Sequence, residues 1–573
     1  VDKRTLLAVI LSVVIVSVSF FIQNILWPPK VVNEEVANQE TVQKEDIPNV
    51  EVQSPSEVVD YSDTTFSEES LDSAPEQKII EENDIFRIEF LSKGAVVTSL
   101  KLKKHTDGND YVEMVNKGES DYSAFGITLG QKYGRPLDEN FVYRKVSDNI
   151  FEFRQRFNDK SGIPFVLKKT YRFLPNEYLM ELAITIEGSN NQIPDLDFNG
   201  SAYRLEYGPQ IGPYFEKLDN RNEYRNYYYH IDDKRKKLKL KNNEVEVNDH
   251  VDWVAIDGKY FSLIAIPDDT NYDITVSSVP VRGMEKTSRL ILSRPLLKAS
   301  KSTDIFRFYI GPKSVSTLSQ YNNASDNGYG VSNLNLDDLI KKNILLGALE
   351  TVLKFFLEMF YSIVHNYGVA IILLTFLVRL VLYPITRKSY QSTAAMQAVQ
   401  PKITEIREKF KDDPNKMNMA MADLYKKEGV NPLGGCLPMV LQLPIFFALY
   451  RLLNSHFDLR GAAFISPWIS DLSAPEHVFS WSGVTLPVVG NDFRILPFLM
   501  VITQIVMTKI TQSQNTGATS DSQMKMLTYG MPIFFFFIMY DMPSGLLLYW
   551  TVTNVLSAVQ QIVINKMVKK KKA

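Results

Sequence analysis

Apolar residues are distributed along this chain in three distinct ways. From Leu6 to Trp27 they run almost unbroken, from about residue 81 to 315 they alternate with polar residues, and beyond residue 345 they gather into long runs separated by charged segments. The first run is long enough to span a bilayer, which takes about 20 residues at about 1.5 Å each. It follows Val1-Asp-Lys-Arg4, and no clear small-residue cleavage site comes after it, so residues 1–27 read as an uncleaved transmembrane anchor. Residues 28–80 read as an acidic disordered linker: Glu34, Glu35, Glu40, Glu45, Asp46, Glu51, Glu57, Asp60, Asp63, Glu68, Glu69 and Asp72 recur with few aromatics among them.

Residues 81–315 carry the period-two pattern of strands. Ile85-Phe-Arg-Ile-Glu-Phe90, Phe151-Glu-Phe-Arg-Gln-Arg-Phe157 and Tyr178-Leu-Met-Glu-Leu-Ala-Ile-Thr-Ile186 alternate, and Asp107-Gly-Asn-Asp110, Asn158-Asp-Lys-Ser-Gly162 and Gly188-Ser-Asn-Asn191 punctuate them as turns. Many short strands at this spacing predict a large all-β sandwich. Asp219–Lys241 is basic and tyrosine-rich and reads as a solvated loop or hairpin. Residues 316–365 form a connector. In it, Leu345–His365 is amphipathic, with Glu350, Lys354 and Glu358 on one stripe and Leu349, Val352, Leu353, Phe356, Leu357 and Phe360 opposite, as in a helix lying in a membrane interface and bracing the spans beyond it.

From residue 366 to 565 five spans are predicted. The first is Val369–Tyr383; the others are about Cys436–Leu453, Ile495–Met507, Leu527–Tyr540 and Gly545–Ile564. Pro438, Pro444 and Pro532 interrupt them, which membrane helices tolerate when neighbours satisfy the freed backbone groups. Met542-Pro-Ser-Gly545 reads as a tight turn. Between the first two spans, Met396, Val399, Ile403, Ile406 and Phe410 make a narrow seam, Asp412-Asp-Pro414 ends one helix and starts another, and Met417, Met421 and Leu424 make the matching stripe. Residues 387–431 therefore read as an antiparallel helical hairpin. Its charged faces suit a solvated hairpin or a docking surface equally.

Charge sets the orientation. Lys3, Arg4, the hairpin's Arg387, Lys388, Lys402, Arg407, Lys409, Lys411, Lys416, Lys426 and Lys427, and the basic tail 566–573 fall on one side, whereas the loop 454–493 carries only Arg460. That places both termini in the cytoplasm and the β domain outside. The net charge of −3 averages unlike parts and decides nothing. The single cysteine, Cys436, excludes an intrachain disulfide and thiol-pair chemistry.

No metalloprotease, P-loop or serine-hydrolase motif is present, and His105, His230, His250, His365, His456 and His477 are scattered. No catalytic residue, metal site or cofactor is assigned, and the chain reads as a non-enzyme. What stands out instead is Arg379 inside an apolar span. A guanidinium stays protonated, and burying it in hydrocarbon costs about 3 kcal/mol or more, so it marks a functional site. The strongly apolar spans contain no Asp or Glu to neutralise it. Polar residues recur in the other spans: Gln442; Thr503, Gln504 and Thr508; Thr551, Thr553, Asn554 and Gln560. Together with Thr375 they fit either interhelical glue or a hydrated cavity. A small-anion transporter would need a pore reaching the outer face. A carbohydrate enzyme in the sandwich would need converging acidic groups beside His230 and His250. Snorkelling of Arg379 toward the cytoplasmic end leaves the other polar positions unexplained.

Several segments together resemble the YidC membrane-protein insertase family. They are Asn366-Tyr-Gly-Val-Ala370, Thr375-Phe-Leu-Val-Arg379, Tyr383-Pro-Ile-Thr386, Gln400-Pro-Lys-Ile403, Val430-Asn-Pro-Leu-Gly-Gly-Cys-Leu-Pro438, Gln442-Leu-Pro-Ile-Phe446 and Pro543-Ser-Gly-Leu-Leu-Leu-Tyr549. More loosely, Trp253-Val-Ala255, Tyr260-Phe261 and Tyr309-Ile-Gly-Pro312 resemble patches of the periplasmic domain of Gram-negative members. The resemblance implies a polytopic α-helical membrane protein with an N-terminal anchor, a periplasmic β-supersandwich and a five-helix core. That core encloses a hydrophilic groove open to cytoplasm and lipid. It implies insertion and folding of inner-membrane proteins, alone or with the Sec translocon, in a bacterial inner membrane. Arg379 matches the groove arginine, and Thr375, Phe446, Met500 and Trp550 match positions on the substrate path; Trp550 stands where some relatives have tyrosine. Gln504 is added from its own chemistry. The implied partners are nascent membrane proteins, lipids, and the Sec translocon, ribosome or a targeting receptor through hairpin and tail. Sequence-specific nucleic-acid binding is not among them.

Overall fold

The computed structural model describes residues 74–107, 110–116, 123–212, 224–280, 287–340, 344–430, 437–481, 490–512 and 526–572. The expected anchor, most of the linker and the 431–436 part of one motif lie outside the described residues. The first strand begins at Lys78, inside the segment read as linker, because Lys78-Ile-Ile-Glu-Glu82 alternates and pairs antiparallel with Phe86–Leu91.

Three sheets build the β domain. Lys78–Glu82, Phe86–Leu91, Val96–Asp107 and Asp110–Glu113 pair in chain order. A five-stranded sheet has the order Glu244–Val247, Asp273–Ser277, Arg289–Pro295, Ser201–Tyr207, Gly126–Thr128. A nine-stranded antiparallel sheet runs Lys234–Leu238, Asn226–Ile231, Trp253–Asp257, Phe261–Ile266, Lys301–Pro312, Leu179–Gly188, Pro164–Phe173, Ile150–Asn158, Val142–Ser147. One apolar cluster fills the space between them. The alternation is plain in Phe86–Leu91, where Phe86, Ile88 and Phe90 point inward. Leu179–Gly188 departs from the half-buried expectation. It lies inside the large sheet and is buried on both faces, and its one buried carboxylate, Glu181, meets Arg307 at 3.3 Å. The basic segment does form a hairpin, Asn226–Ile231 with Lys234–Leu238, at the sheet edge. Lysines along an edge strand oppose pairing with another chain.

The connector is not a free tether. Leu318 on the short helix α1 (Val315–Ser319), Tyr321, Leu336 and Leu339 all belong to the β core. The domain therefore closes near residue 340 rather than 315. Helix α2 (Ile344–Val364) then packs on the helical core through Leu353 and Leu357. Its polar stripe lies at the border of that contact: Glu350 meets Arg451 at 3.3 Å and Glu358 meets His456 at 3.2 Å, while Lys354 and Glu358 stay 45% and 47% exposed. Val352, Phe355, Met359 and Ile363 are the exposed side, so Val352 does not share the packed face. Charges two turns apart on α2 find partners on the core, beside the apolar face formed by Leu349, Leu353, Phe356, Leu357 and Phe360 that packs there.

Helix α3 (Tyr367–Lys409) is a single element where a membrane span and a separate hairpin helix were expected. It continues through Pro384 and Pro401. A proline removes one backbone bond; the flanking turns hold, and Thr386 Oγ1 donates to the carbonyls of Leu382 and Tyr383 at 3.0 and 3.1 Å. Helix α4 (Pro414–Glu428) returns antiparallel, capped by Asp413, which accepts from Lys416 N at 3.1 Å, and closed by Gly429 at φ 63°. Val399, Ile403, Leu424 and Val430 form the hairpin's own small core. Four helices complete the fold: α5 (Leu437–Ser455), α6 (Leu496–Gln512), α7 (Met531–Met539) and α8 (Ser544–Lys572). Residues 566–572 of the basic tail thus continue α8.

Among the described residues, Tyr367–Ser392 and Ser544–Met567 are each long and apolar enough to cross a membrane, whereas Val440–Asn454, Leu496–Ile510 and Thr528–Met539 are shorter apolar helices. At about 1.5 Å per residue the described apolar parts of these three cover roughly 18–23 Å.

The loop 455–495 ties the pieces together. Phe457 enters the β core, its ring 4.7 Å from that of Phe261 and 5.4 Å from that of Tyr260, and Arg460 pairs with Asp107 at 2.6 Å. The same loop receives the Pro543-Ser-Gly545 turn: Ser544 N donates to Ala474 O at 2.8 Å and Gly545 N to Leu472 O at 3.0 Å. It also receives the start of α3. Asn366 caps that helix through Val369 N at 3.0 Å while its amide donates to Phe464 O at 3.1 Å, and a Cβ on Gly368 would lie 2.1 Å from the Phe464 ring. Two of the recognisable motifs are therefore joints to one loop.

Candidate functional site

Arg379 lies in the middle of the apolar part of α3, and it is 7% exposed. It has no carboxylate partner among the described residues, but it is not unbonded. Its Nη2 donates to the carbonyl of Thr553 at 3.1 Å and to the hydroxyl of Ser557, both on α8. Ser557 Oγ in turn donates to Thr553 O at 2.6 Å, closing a triangle. The guanidinium therefore points across to α8 rather than along α3 to the membrane surface, which sets the snorkelling reading aside. An arginine carries five N–H donors, and these contacts use only one nitrogen. Its other N–H groups make no hydrogen bond to the described residues.

Thr375, one turn before Arg379, is fully buried and spends its hydroxyl on Ile371 O at 2.7 Å. Trp550 is the junction of the other helices. Its ring stands 4.8 Å from Phe446 of α5 and 5.7 Å from Phe535 of α7, and its Nε1 donates to Gln504 Oε1 of α6 at 3.0 Å. One turn on, Asn554 Nδ2 donates to Thr503 Oγ1 at 3.3 Å. Met500 is buried in the same apolar cluster, which it shares with Phe446 and Leu374.

The structure thus brings Phe446, Gln504 and Trp550 into one contact set, with Arg379 and Thr375 on the neighbouring face of α3 and Met500 in the surrounding apolar layer. Ser557 was missed. A serine in an apolar helix is an ordinary residue, and only the i,i+4 spacing from Thr553 could have flagged it. Gln561, fully buried one turn further, was missed for the same reason. No group of three His, Cys, Asp or Glu that could hold a metal occurs among the described residues. At the end of the helices that meets loop 455–495, Arg494 donates to Tyr540 O at 2.6 Å and pairs with Asp541, and Glu476 accepts from Leu496 N at 2.6 Å and from Trp468 Nε1 at 3.0 Å.

A family profile described as "60Kd inner membrane protein" matches residues 359–572, and one described as "YidC periplasmic domain" matches residues 79–340. The membrane protein insertase YidC of Treponema denticola is 36% identical, covering 99% of this chain and 100% of that protein. The chain belongs to the YidC family of membrane protein insertases. A second YidC insertase, from Treponema pallidum, is 32% identical over 100% of both chains. The crystal structure of an active YidC insertase with its first transmembrane domain resolved covers 85% of this chain and 92% of its own, at 19% identity and a TM-score of 0.34. The family profile for the periplasmic domain ends at residue 340, where the buried Leu339 also ends the β core. The sequence resemblance, read from the core motifs, and the insertase function it implied agree with this assignment.

Proposed function

We propose that the chain inserts hydrophobic segments of nascent proteins into a bacterial inner membrane along a path built around Arg379. The observation that carries this reading is a buried guanidinium with spare donors, held by a backbone carbonyl and a hydroxyl and not by a carboxylate. Such a group keeps its full positive field and attracts acidic side chains or carbonyls of a translocating tail. The apolar wall of Phe446, Met500 and Trp550 guides the hydrophobic segment, which then partitions into lipid with about 25 cal/mol per Å² of buried apolar surface. The scheme needs no nucleotide, and the membrane potential acts on charged tails.

In this reading both termini and the helical hairpin are cytoplasmic and the β domain is periplasmic. The contacts of Phe457 and Arg460 with the β domain support one shared side for that domain and the loop 455–495, and Lys/Arg placement supports the other side for the hairpin. The hairpin and the basic end of α8 are the surfaces for a ribosome, a targeting receptor or the Sec translocon.

The test is insertion of a short single-span client by the purified chain in liposomes, scored by protease protection without nucleotide. No insertion above empty liposomes overturns the reading. The same assay takes a chain lacking residues 78–340. Because Phe457 would lose its β-domain pocket, that variant also carries Phe457→Ser. It is expected to retain more than about half the activity, since Arg379, Trp550 and their partners all lie outside the deletion. A stably produced trimmed chain with no insertion would show that the β domain belongs to the machinery.

A further inference from the structure

Helix α8 carries a second buried polar group beyond the one that holds Arg379. Thr553, Ser557, Gln561 and Asn565 recur every four residues, which places them along one side of the helix. Gln561 is 0% exposed, and its Nε2 donates to Asn565 Oδ1 at 2.7 Å. Its carbonyl oxygen is buried with no hydrogen-bond partner among the described residues. A buried acceptor left without a donor is costly, and a leucine at this position would pack without that cost. Gln561 lies one turn from Ser557 toward the hairpin end. At the same end of α3, beyond Arg379, Thr386 and Ser389 are buried as well. Buried polar side chains thus continue past Arg379 on both helices, toward the hairpin end.

Arg379 has donors only, so it can serve carbonyls and carboxylates but not N–H groups or ammonium groups. A polypeptide tail presents both kinds. The geometry points to Gln561 as the acceptor station of the same path, its Oε1 receiving backbone N–H groups and lysine ammonium groups of the translocating tail. The inference rests on the proposed path and assigns the half of the tail's chemistry that Arg379 cannot serve.

The test uses the full chain in liposomes with two clients that differ only in carrying lysine or aspartate in the translocated tail. Gln561→Leu is expected to lower the ratio of lysine-tailed to aspartate-tailed insertion about fivefold, the worth of one hydrogen bond. Gln561→Glu is expected to raise that ratio above wild type. Equal losses for both tails in both variants would mean that Gln561 only packs helices, and would overturn the proposal. Should either variant fail to accumulate, a second measurement decides: Gln561→Cys and Ser557→Cys, each with Cys436→Ser, are tested for disulfide bonding to a single cysteine in the tail of a stalled client. Adducts at both positions support the acceptor station. An adduct at 557 without one at 561 overturns it and leaves the path intact, whereas none at either overturns the path itself.

Discussion

Arg379→Ala should lower insertion of clients with acidic translocated tails by about tenfold or more, while clients with neutral tails lose far less. A hydrogen bond to a charged group contributes about 1.5–3 kcal/mol, which is one to two powers of ten in an equilibrium. Arg379→Lys should stay within about threefold of wild type on acidic tails. Its ammonium keeps the positive field, but it loses the planar fork that bonds Thr553 and Ser557 while offering further donors. Arg379→Glu should be worse than alanine on acidic tails, because it repels them and also faces the Thr553 carbonyl. A purely structural arginine would give another pattern. Alanine would free the Thr553–Ser557 pair and weaken the α3–α8 contact, so every client would suffer equally and membrane abundance would fall. The measurement is an insertion assay across tail charge with variant abundance matched. Wild-type activity of the alanine variant on acidic tails would sink the electrostatic role.

Much of this site was legible because charge and aromatic residues in apolar helices are rare enough to stand out. Arg379 was visible as a lone guanidinium in hydrocarbon. Gln504, chosen only for its chemistry, turns out to accept from Trp550, which the motif supplied. Ser557 and Gln561 escaped because small or amide side chains in apolar helices usually serve as interhelical glue. The strand pattern of the β domain was legible wherever one face is wet, as at Phe86–Leu91, and misleading at Leu179–Gly188, where both faces are covered. The partners of Glu350 and Glu358 could not be read locally. Amphipathicity shows two faces but not what each one meets; for the polar stripe that depends on Arg451 and His456, about a hundred residues on. The continuity of α3 through Pro384 was hidden for a related reason. Proline marks a probable helix end, and only the intact bonding of its neighbours reveals the exception. A domain boundary near 315 likewise ignored Leu318, Tyr321, Leu336 and Leu339, whose burial against the sandwich is a long-range fact.

Trp550→Ala should be the most damaging single change to the stability of the helical core. The ring joins four helices: it packs on Phe446 of α5 and Phe535 of α7, bonds Gln504 of α6, and is itself part of α8. Truncating a buried tryptophan costs about 3–5 kcal/mol through lost contacts and the cavity left behind, and Trp550, packed on the cluster but partly buried, belongs at the low end of that range. Here it also unpairs the Gln504 oxygen. Trp550→Phe separates these terms in part, because it keeps an aromatic ring but removes the donor, at about 1 kcal/mol, together with the pyrrole half of the indole and its contacts. Trp550→Tyr, which keeps a six-membered ring and adds a hydroxyl donor, should lie close to phenylalanine. Thermal unfolding in detergent gives the order, and insertion at matched abundance gives the functional consequence. Stability should rank wild type, then Phe and Tyr, then Ala well below. If the alanine variant unfolds with wild type, Trp550 is not the junction of the bundle. If phenylalanine falls as far as alanine, the bond to Gln504 and not the ring packing holds α6 to α8. In that second case Gln504→Leu should reproduce the loss on its own, because removing either partner breaks the same bond.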